Sequence, residues 1–263
     1  MVLLFMGNIN IFKKSYLYPM KPFLILQLRP NDMASDHEFS AFIHYGGLAA
    51  HDVHRIRMEK EGIPEISLND YSGIIIGGGP SNVSDKEENK YEYQKRFEVD
   101  LNRLLDKVFE ADFPILGTCY GIGALNKYQG GEVSKEKYFE AVGGLEIELT
   151  EAGMKDELLA GIPVKFIAFG GHKEACQSIP NSATVLAKSD NCPFQMIRFG
   201  QNMYATQFHT ELDEEGIALR INIYKNHGYF SPEDAETLIK NTKKYHVTIP
   251  NMIFKQFVEK YRQ

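Results

Sequence analysis

The chain has 263 residues, 43% of them hydrophobic and 24% charged, with a formal net charge of -6. That length supports a large α/β domain with a sizeable core, and the acidic balance argues against nucleic acid or an anionic membrane as a partner. The 3 cysteines include no Cys-x-x-Cys pair, which speaks against a disulfide framework and a structural zinc site and fits a reducing, cytoplasmic compartment.

Residues 1–19 read as a weakly ordered extension. Their apolar opening is too short to span a bilayer, and Lys13 and Lys14 follow it instead of preceding it as in a signal peptide. Met20 offers an alternative start. The apolar run 23–28 predicts a buried strand, and 37–48 a helix that glycines end. A strand is expected within 51–60. A clearer one lies in 71–82 and runs into three glycines and a proline. Residues 87–112 have helical spacing at Phe97, Leu101, Leu104, Leu105 and Val108. Residues 113–119 form another apolar strand, and 121–131 open a further helix. From about Ala141, segments 143–150, 164–169, 183–189, 194–200 and 202–209 read as short strands, and 216–226 as a helix. Alternating strands and helices imply an α/β fold, a mostly parallel sheet covered on both faces, with antiparallel strands added in the second half. The tail, 231–263, reads as two helices, with Ser231 and Pro232 at the start. The organisation expected is one domain over 20–230 and a helical appendix, 231–263, packed on it.

The stretch GTCYG (117–121) follows a strand and opens a helix, the layout of a nucleophile elbow with Cys in place of Ser. Gly117 and Gly121 would remove side chains from a sharp turn. Cys119 at a helix N-terminus would be favoured as thiolate, and the Tyr120 N–H would point at a developing oxyanion. On this motif alone, a small buried cysteine is an equal reading. A thiol nucleophile needs a base and an orienting group. His209 ends an apolar strand, and Glu211, two residues on, shares its side of an extended chain and can fix its tautomer. The glycines of IIIGGGPSN (74–82) lack the spacing and the following Gly-Lys-Ser/Thr of a phosphate loop. Gly79 is instead a candidate second oxyanion donor, and Gly77 a candidate for a plain strand-ending turn.

GGGP, GTCYG and QFHTE, in this order, resemble the class I glutamine amidotransferase family over residues 23–226, with the stand-alone relatives of the GMP synthase glutaminase domain as the nearest pattern. LNKYQGGEV (125–133) resembles the region after the elbow. The resemblance implies a flavodoxin-like domain and a Cys119–His209–Glu211 triad that hydrolyses a side-chain carboxamide through a γ-glutamyl thioester, with Gly79 and Tyr120 as oxyanion donors and no metal or cofactor. It also implies substrate contacts from Gly78, Gly123, Gly171, His172 and Lys173. Three positions depart from the pattern. Gly123 stands where glutamine-hydrolysing members usually carry Gln. Lys173 follows the recurrent His172 in place of a small residue, with Glu174 after it. Thr210 replaces a Pro. The first two bear on which amide is taken, because they lie where the substrate's α-amino and α-carboxylate groups would be held.

The remaining candidates read as structural. His172 is either substrate-proximal or an anchor of its loop, the second reading being the better. Cys176 and Cys192 sit on no elbow, and His51 and His54 lack further metal ligands. Asp213, Glu214 and Glu215 read as a charged helix start near the site. Asp32, Asp85 and the other charges of 84–90 read as solvated. The expected activity is glutamine hydrolysis, with ammonia passed to a separate synthetase chain, since no Ser-Gly-Gly-x-Asp-Ser-like run follows. The alternatives are a free-standing γ-glutamyl peptidase or hydrolase and a non-catalytic binding or regulatory relative.

Overall fold

Leu24, Leu26, Ile74, Ile76 and Ile115 pack on one side of the sheet, and Phe23, Ile25, Ile75 and Leu116 on the other. This is the two-residue period of a strand with both sets buried, as a parallel sheet covered on both faces requires. The computed structural model describes residues 21–263, so the extension read at 1–19 lies outside the described residues. In chain order the elements are β1 (Phe23–Gln27), α1 (Asp32–Gly46), β2 (Val53–Arg57), α2 (Met58–Glu61), β3 (Gly73–Ile76), α3 (Glu92–Glu110), β4 (Ile115–Thr118), α4 (Tyr120–Tyr128), β5 (Val133–Ser134), β6 (Glu140–Leu149), β7 (Lys165–His172), β8 (Ala175–Cys176), β9 (Ala183–Lys188), β10 (Met196–Phe199), β11 (Met203–Thr206), α5 (Glu214–Tyr224), α6 (Ala235–Thr242) and α7 (Ile249–Tyr261). Among the described residues the main sheet has nine strands, ordered β2-β1-β3-β4-β11-β10-β9-β6-β7. From β2 to β11 neighbours run parallel; from β11 to β7 they run antiparallel. The flavodoxin-like α/β architecture with an antiparallel second half is therefore present. None of the described helices is long and apolar enough to cross a membrane.

α3 and α4 cover one face, and α1 and α7 the other. Ile253, Phe254, Phe257 and Val258 of α7 are fully buried beside Phe23, Ile25 and Phe42, with the Phe42 and Phe254 rings 5.2 Å apart. The end of the tail is thus part of the central core and shields the sheet from water. α1 starts at Asp32, earlier than the apolar spacing suggests, because the Asn31 side chain caps it by accepting from the Ala34 N–H at 3.0 Å. α3 starts later, at Glu92, and Glu87–Asn89 forms a separate turn. Two of the charges read as solvated are not. Lys90 is buried, its ammonium 2.7 Å from Glu87 and 2.6 Å from Glu98, because the carboxylates there need a counterion. Asp85 is half-buried and pairs with Lys135.

If α7 is core, Phe254→Ala should destabilise the fold by about 3–5 kcal/mol in urea denaturation. A loss below about 1 kcal/mol would mean α7 only rests on the surface.

Candidate active site

β3, β4 and β11 are sheet neighbours, and their C-terminal ends deliver the glycine loop, Cys119 and His209 to one place. Crevices at the carboxyl ends of parallel strands are where open α/β sheets bind ligands. Cys119 has φ 52 and ψ -94, a conformation that costs about 1–3 kcal/mol for a non-glycine residue. Its N–H is held by the Thr206 carbonyl at 2.8 Å. α4 starts at the next residue, directly on top of the strand. A Cβ on Gly117 would lie 3.0 Å from the backbone of Gly121, so a side chain at 117 would force the two segments apart. Gly121 differs from expectation: its own Cβ would meet Ile76 at an ordinary 3.5 Å, and its part is to present bare backbone to Gly117. The Tyr120 N–H belongs to the first turn of α4, where amides have no intrahelical partner. The Tyr120 ring is buried, with its hydroxyl donating to Glu98 at 2.9 Å.

His209 Nδ1 lies 2.8 Å from Glu211 Oε1, both residues being buried. Cys119 and His209 line the same cleft, on the side of the ring away from Glu211's hold on Nδ1. Burial would push His209 down, but the Glu211 carboxylate and the Cys119 sulfur outweigh it, and the imidazole stands above its ordinary value. Burial would push Glu211 up, but His209, Arg220 and Arg29 outweigh it, and the carboxyl stands below its ordinary value. Thr210, between them, is buried, and its carbonyl accepts from Asn251 of α7 at 3.0 Å. Asp213 caps α5, accepting from the Gly216 N–H at 2.7 Å and from the Tyr45 hydroxyl at 2.6 Å.

The glycine loop closes over this pair. A Cβ on Gly78 would stand 2.7 Å from His209 Cε1 and 3.3 Å from Cys119 Cβ, inside the space where the sulfur and imidazole meet. A Cβ on Gly79 would stand 2.8 Å from the Leu28 carbonyl oxygen, and Gly79 lines the same space as Cys119. Gly77 is more than a strand-ending turn, since its Cβ would lie 2.6 Å from Glu38 Oε2. Glu38 in turn holds Arg29 at 2.6 Å and Gln27 at 2.8 Å, all buried beneath the loop.

Two clefts meet at Gly79, Cys119 and Tyr229. Gly123, Tyr120, Asn82 and Glu174 line one; His209, Gly171, Arg29 and Arg220 line the other. A Cβ on Gly123 would already be 3.2 Å from Val83, so no large side chain fits there without movement. His172 lines the first cleft, and its Nδ1 lies 2.9 Å from the Glu174 carbonyl and its Nε2 2.9 Å from Glu140, so both ring nitrogens are engaged in anchoring the loop, the better of its two expected readings. Lys173 also turns to the protein. Its ammonium donates to the His227 carbonyl at 3.0 Å and sits 4.3 Å from the Tyr229 ring centroid, tying 227–229 across the clefts. The Glu174 carboxylate accepts from the Val83 and Ser84 N–H groups at 2.7 and 2.8 Å; burial still holds its carboxyl above the usual range. Cys176 and Cys192 are buried, and burial pushes both thiols up. His51 and His54 are exposed.

Residues 38–219 match the model of the family described as glutamine amidotransferase class-I. The chain belongs to that family. It is 34% identical over 150 residues to a glutamine-hydrolysing GMP synthase of Lactobacillus delbrueckii subsp. bulgaricus, covering 57% of this chain and 26% of that protein. It is 32% identical over 174 residues to one of Borrelia garinii subsp. bavariensis, covering 64% and 30%. The chain thus spans under a third of the length of these relatives. A glutamine amidotransferase from Thermotoga maritima superposes over 92% of this chain and 98% of its own, with TM-score 0.73 and 18% identity, which shows a shared fold.

Several residues around this class-I site were not singled out in the sequence. Arg29 directly follows a buried strand and precedes a proline, a position from which a cation reaches the sheet's carboxyl edge. Arg220 hides among the apolar residues of α5, and Tyr229 lies between elements with no motif around it. Glu140 starts β6 and reveals its role only through its partners His172, Ser189 and Gln195.

The buried pair sets a pH dependence. Folding raises His209 above its ordinary 6.5, so its contribution is complete below 6.5 and fades as pH rises through the raised value. Folding lowers Glu211 below its ordinary 4.5, so its contribution is complete above 4.5 and fades as pH falls through the lowered value. The Tm deficit of Glu211→Gln relative to the parent should therefore be largest between pH 4.5 and 6.5 and narrow on both sides. A deficit that is flat from about pH 3 to about pH 9 would contradict the pairing.

Proposed function

We propose that the protein hydrolyses the side-chain amide of a γ-glutamyl compound through a thioester on Cys119. The observation that carries this reading is the convergence of a strained, helix-capping Cys119 with a His209 whose far nitrogen is held by a buried carboxylate. His209 takes the thiol proton, and Cys119 Sγ attacks the amide carbon. The backbone N–H groups of Gly79 and Tyr120 receive the developing oxyanion; each such donor is worth about 10²–10³ in rate. As the C–N bond breaks, His209 returns the proton to the leaving nitrogen. Water, deprotonated by His209, then attacks the thioester, freeing glutamate and the thiol. With glutamine as substrate the leaving group is ammonia, as the names of the GMP synthases similar to this chain suggest, and an acceptor on another chain, such as a synthetase, would use it.

A second reading is cleavage of γ-glutamyl peptides. It is favoured by Gly123, which leaves the usual glutamine-holding position without a side chain, and by Lys173, whose ammonium is engaged by the 227–229 segment. A binding relative without turnover is disfavoured because Cys119 shares a cleft with a His209 that a buried carboxylate holds, a combination that binding alone does not need.

The readings separate in one assay set. Ammonia release from glutamine and cleavage of a γ-glutamyl dipeptide are measured for the wild type and for Cys119→Ala. Cys119→Ala should lose at least about 10³-fold in either activity while keeping its circular dichroism spectrum. An inert glutamine beside a cut peptide would refute the ammonia-donor reading, and wild-type turnover by Cys119→Ala would refute the mechanism.

A further inference from the structure

His209 lines only one of the two clefts that meet at Cys119. The imidazole must protonate the departing nitrogen, so the leaving group lies in the cleft that His209 lines, and the glutamyl half lies beside Tyr120 and Gly123. Val142, Leu212, Ile217 and Ile221 wall the leaving-group side, with two guanidiniums among them. Ammonia needs neither apolar walls nor cations. Arg220 is 5% exposed, and its Nε and Nη2 have no hydrogen-bond partner among the described residues. Only Nη1 is engaged, by the Gly216 carbonyl and His37 at 3.3 Å each, while Glu211 Oε1 stands off at 3.8 Å from Nη2. Buried donors without acceptors are costly and call for an anion, and Glu211, whose Oε2 also lacks a partner, comes within hydrogen-bond distance of neither Nε nor Nη2. Arg29, 3% exposed, is held by Glu38 at its Nε. Its Nη2 lies 3.1 Å from the point where a Gly78 Cβ would stand, and Cys119 Cβ lies 3.3 Å from that same point. The Arg29 guanidinium and Cys119 Cβ therefore flank the same point, and Arg220 lies along the same cleft.

We infer that this cleft is a leaving-group subsite for a small amino acid with a free α-carboxylate, so that the substrate is a γ-glutamyl dipeptide of the γ-glutamyl-alanine kind. The inference rests on the proposed acylation of Cys119 and deepens the second reading of it. The carboxylate sits one carbon beyond the scissile nitrogen, within reach of Arg29 and oriented towards the unpaired donors of Arg220. The walls take a methyl-sized side chain. The cleft is narrow, about 60 Å³ in volume and open to solvent, which favours the smallest side chains on the departing amino acid. In the step itself the Sγ–C bond forms and the C–N bond breaks. The nitrogen takes the His209 proton, and alanine departs. Water then supplies hydroxide to the acyl carbon and a proton to the sulfur.

The test compares kcat/KM for γ-glutamyl-alanine and γ-glutamyl-alaninamide, which differ only in the carboxylate. The wild type should prefer the acid by about 10–100-fold, and Arg220→Gln should bring that ratio to within about 3-fold of one. Arg220 acting only through Glu211 would lower both substrates equally and leave the ratio intact, which would overturn the inference. So would a wild-type ratio near one with both substrates cut, an outcome that leaves the hydrolase reading standing. If the wild type cuts neither, calorimetric titration of Cys119→Ala decides. Carboxylate-dependent binding of γ-glutamyl-alanine would keep the subsite and sink the hydrolase reading, and no binding would sink both. The wild-type ratio needs no variant, so a poorly folding Arg220→Gln does not rescue the inference.

Discussion

The close approach of Gly117 to the Gly121 backbone is the constraint on which the site depends. A Cβ at 117 would lie 3.0 Å from the Gly121 backbone, so any side chain there would push back the start of α4, one residue after Cys119. Cys119, at φ 52 in the turn between them, lines both clefts at the sheet's carboxyl edge. β3 and β11 flank β4 in the sheet, so the glycine loop and His209 arrive on either side of the thiol without any long excursion of the chain. The strain is sustained by what surrounds it: the Thr206 carbonyl on the Cys119 N–H, the packed ring of Tyr120, and a parallel sheet buried on both faces.

Beneath the thiol lies a layer of buried charge. Glu38 pairs with Arg29, and Glu211 pairs with His209, with Arg220 Nη2 3.8 Å away. The arginines are not equivalent. Glu38 and Tyr224 outweigh burial at Arg29 and hold it firmly charged, whereas burial and the neighbouring Arg29 bring Arg220 down to about 10. Helices distant in sequence also support the site. Asn251 of α7 braces Thr210, Asp213 fixes the start of α5, and Lys173 draws the 227–229 segment over the clefts.

Much of this was legible in the sequence because it is local. An apolar strand running into GTCYG, a His-x-Glu at a strand end, and the glycines that follow Ile74–Ile76 each encode their own geometry through steric demand and strand periodicity. The supporting network was not legible. Arg29 and Glu38, or His172 and Glu140, are paired by the fold across many residues, and neither partner has a pattern of its own. Lys90 read as a solvated charge because its run is polar; only the approach of Glu98 from α3 shows that it is buried. The tail's helices were expected from their apolar spacing, but that α7 fills the central core follows from the sheet face left open beside α1.

The account stands or falls on Cys119 as the acylated residue. Incubating the folded protein with a glutamine-analogue diazo-ketone and mapping the adduct by peptide mass spectrometry tests this directly. The account predicts one adduct on Cys119, none on Cys176 or Cys192, and loss of labelling in His209→Ala. No adduct on the folded wild-type protein, or an adduct on another cysteine, would contradict it.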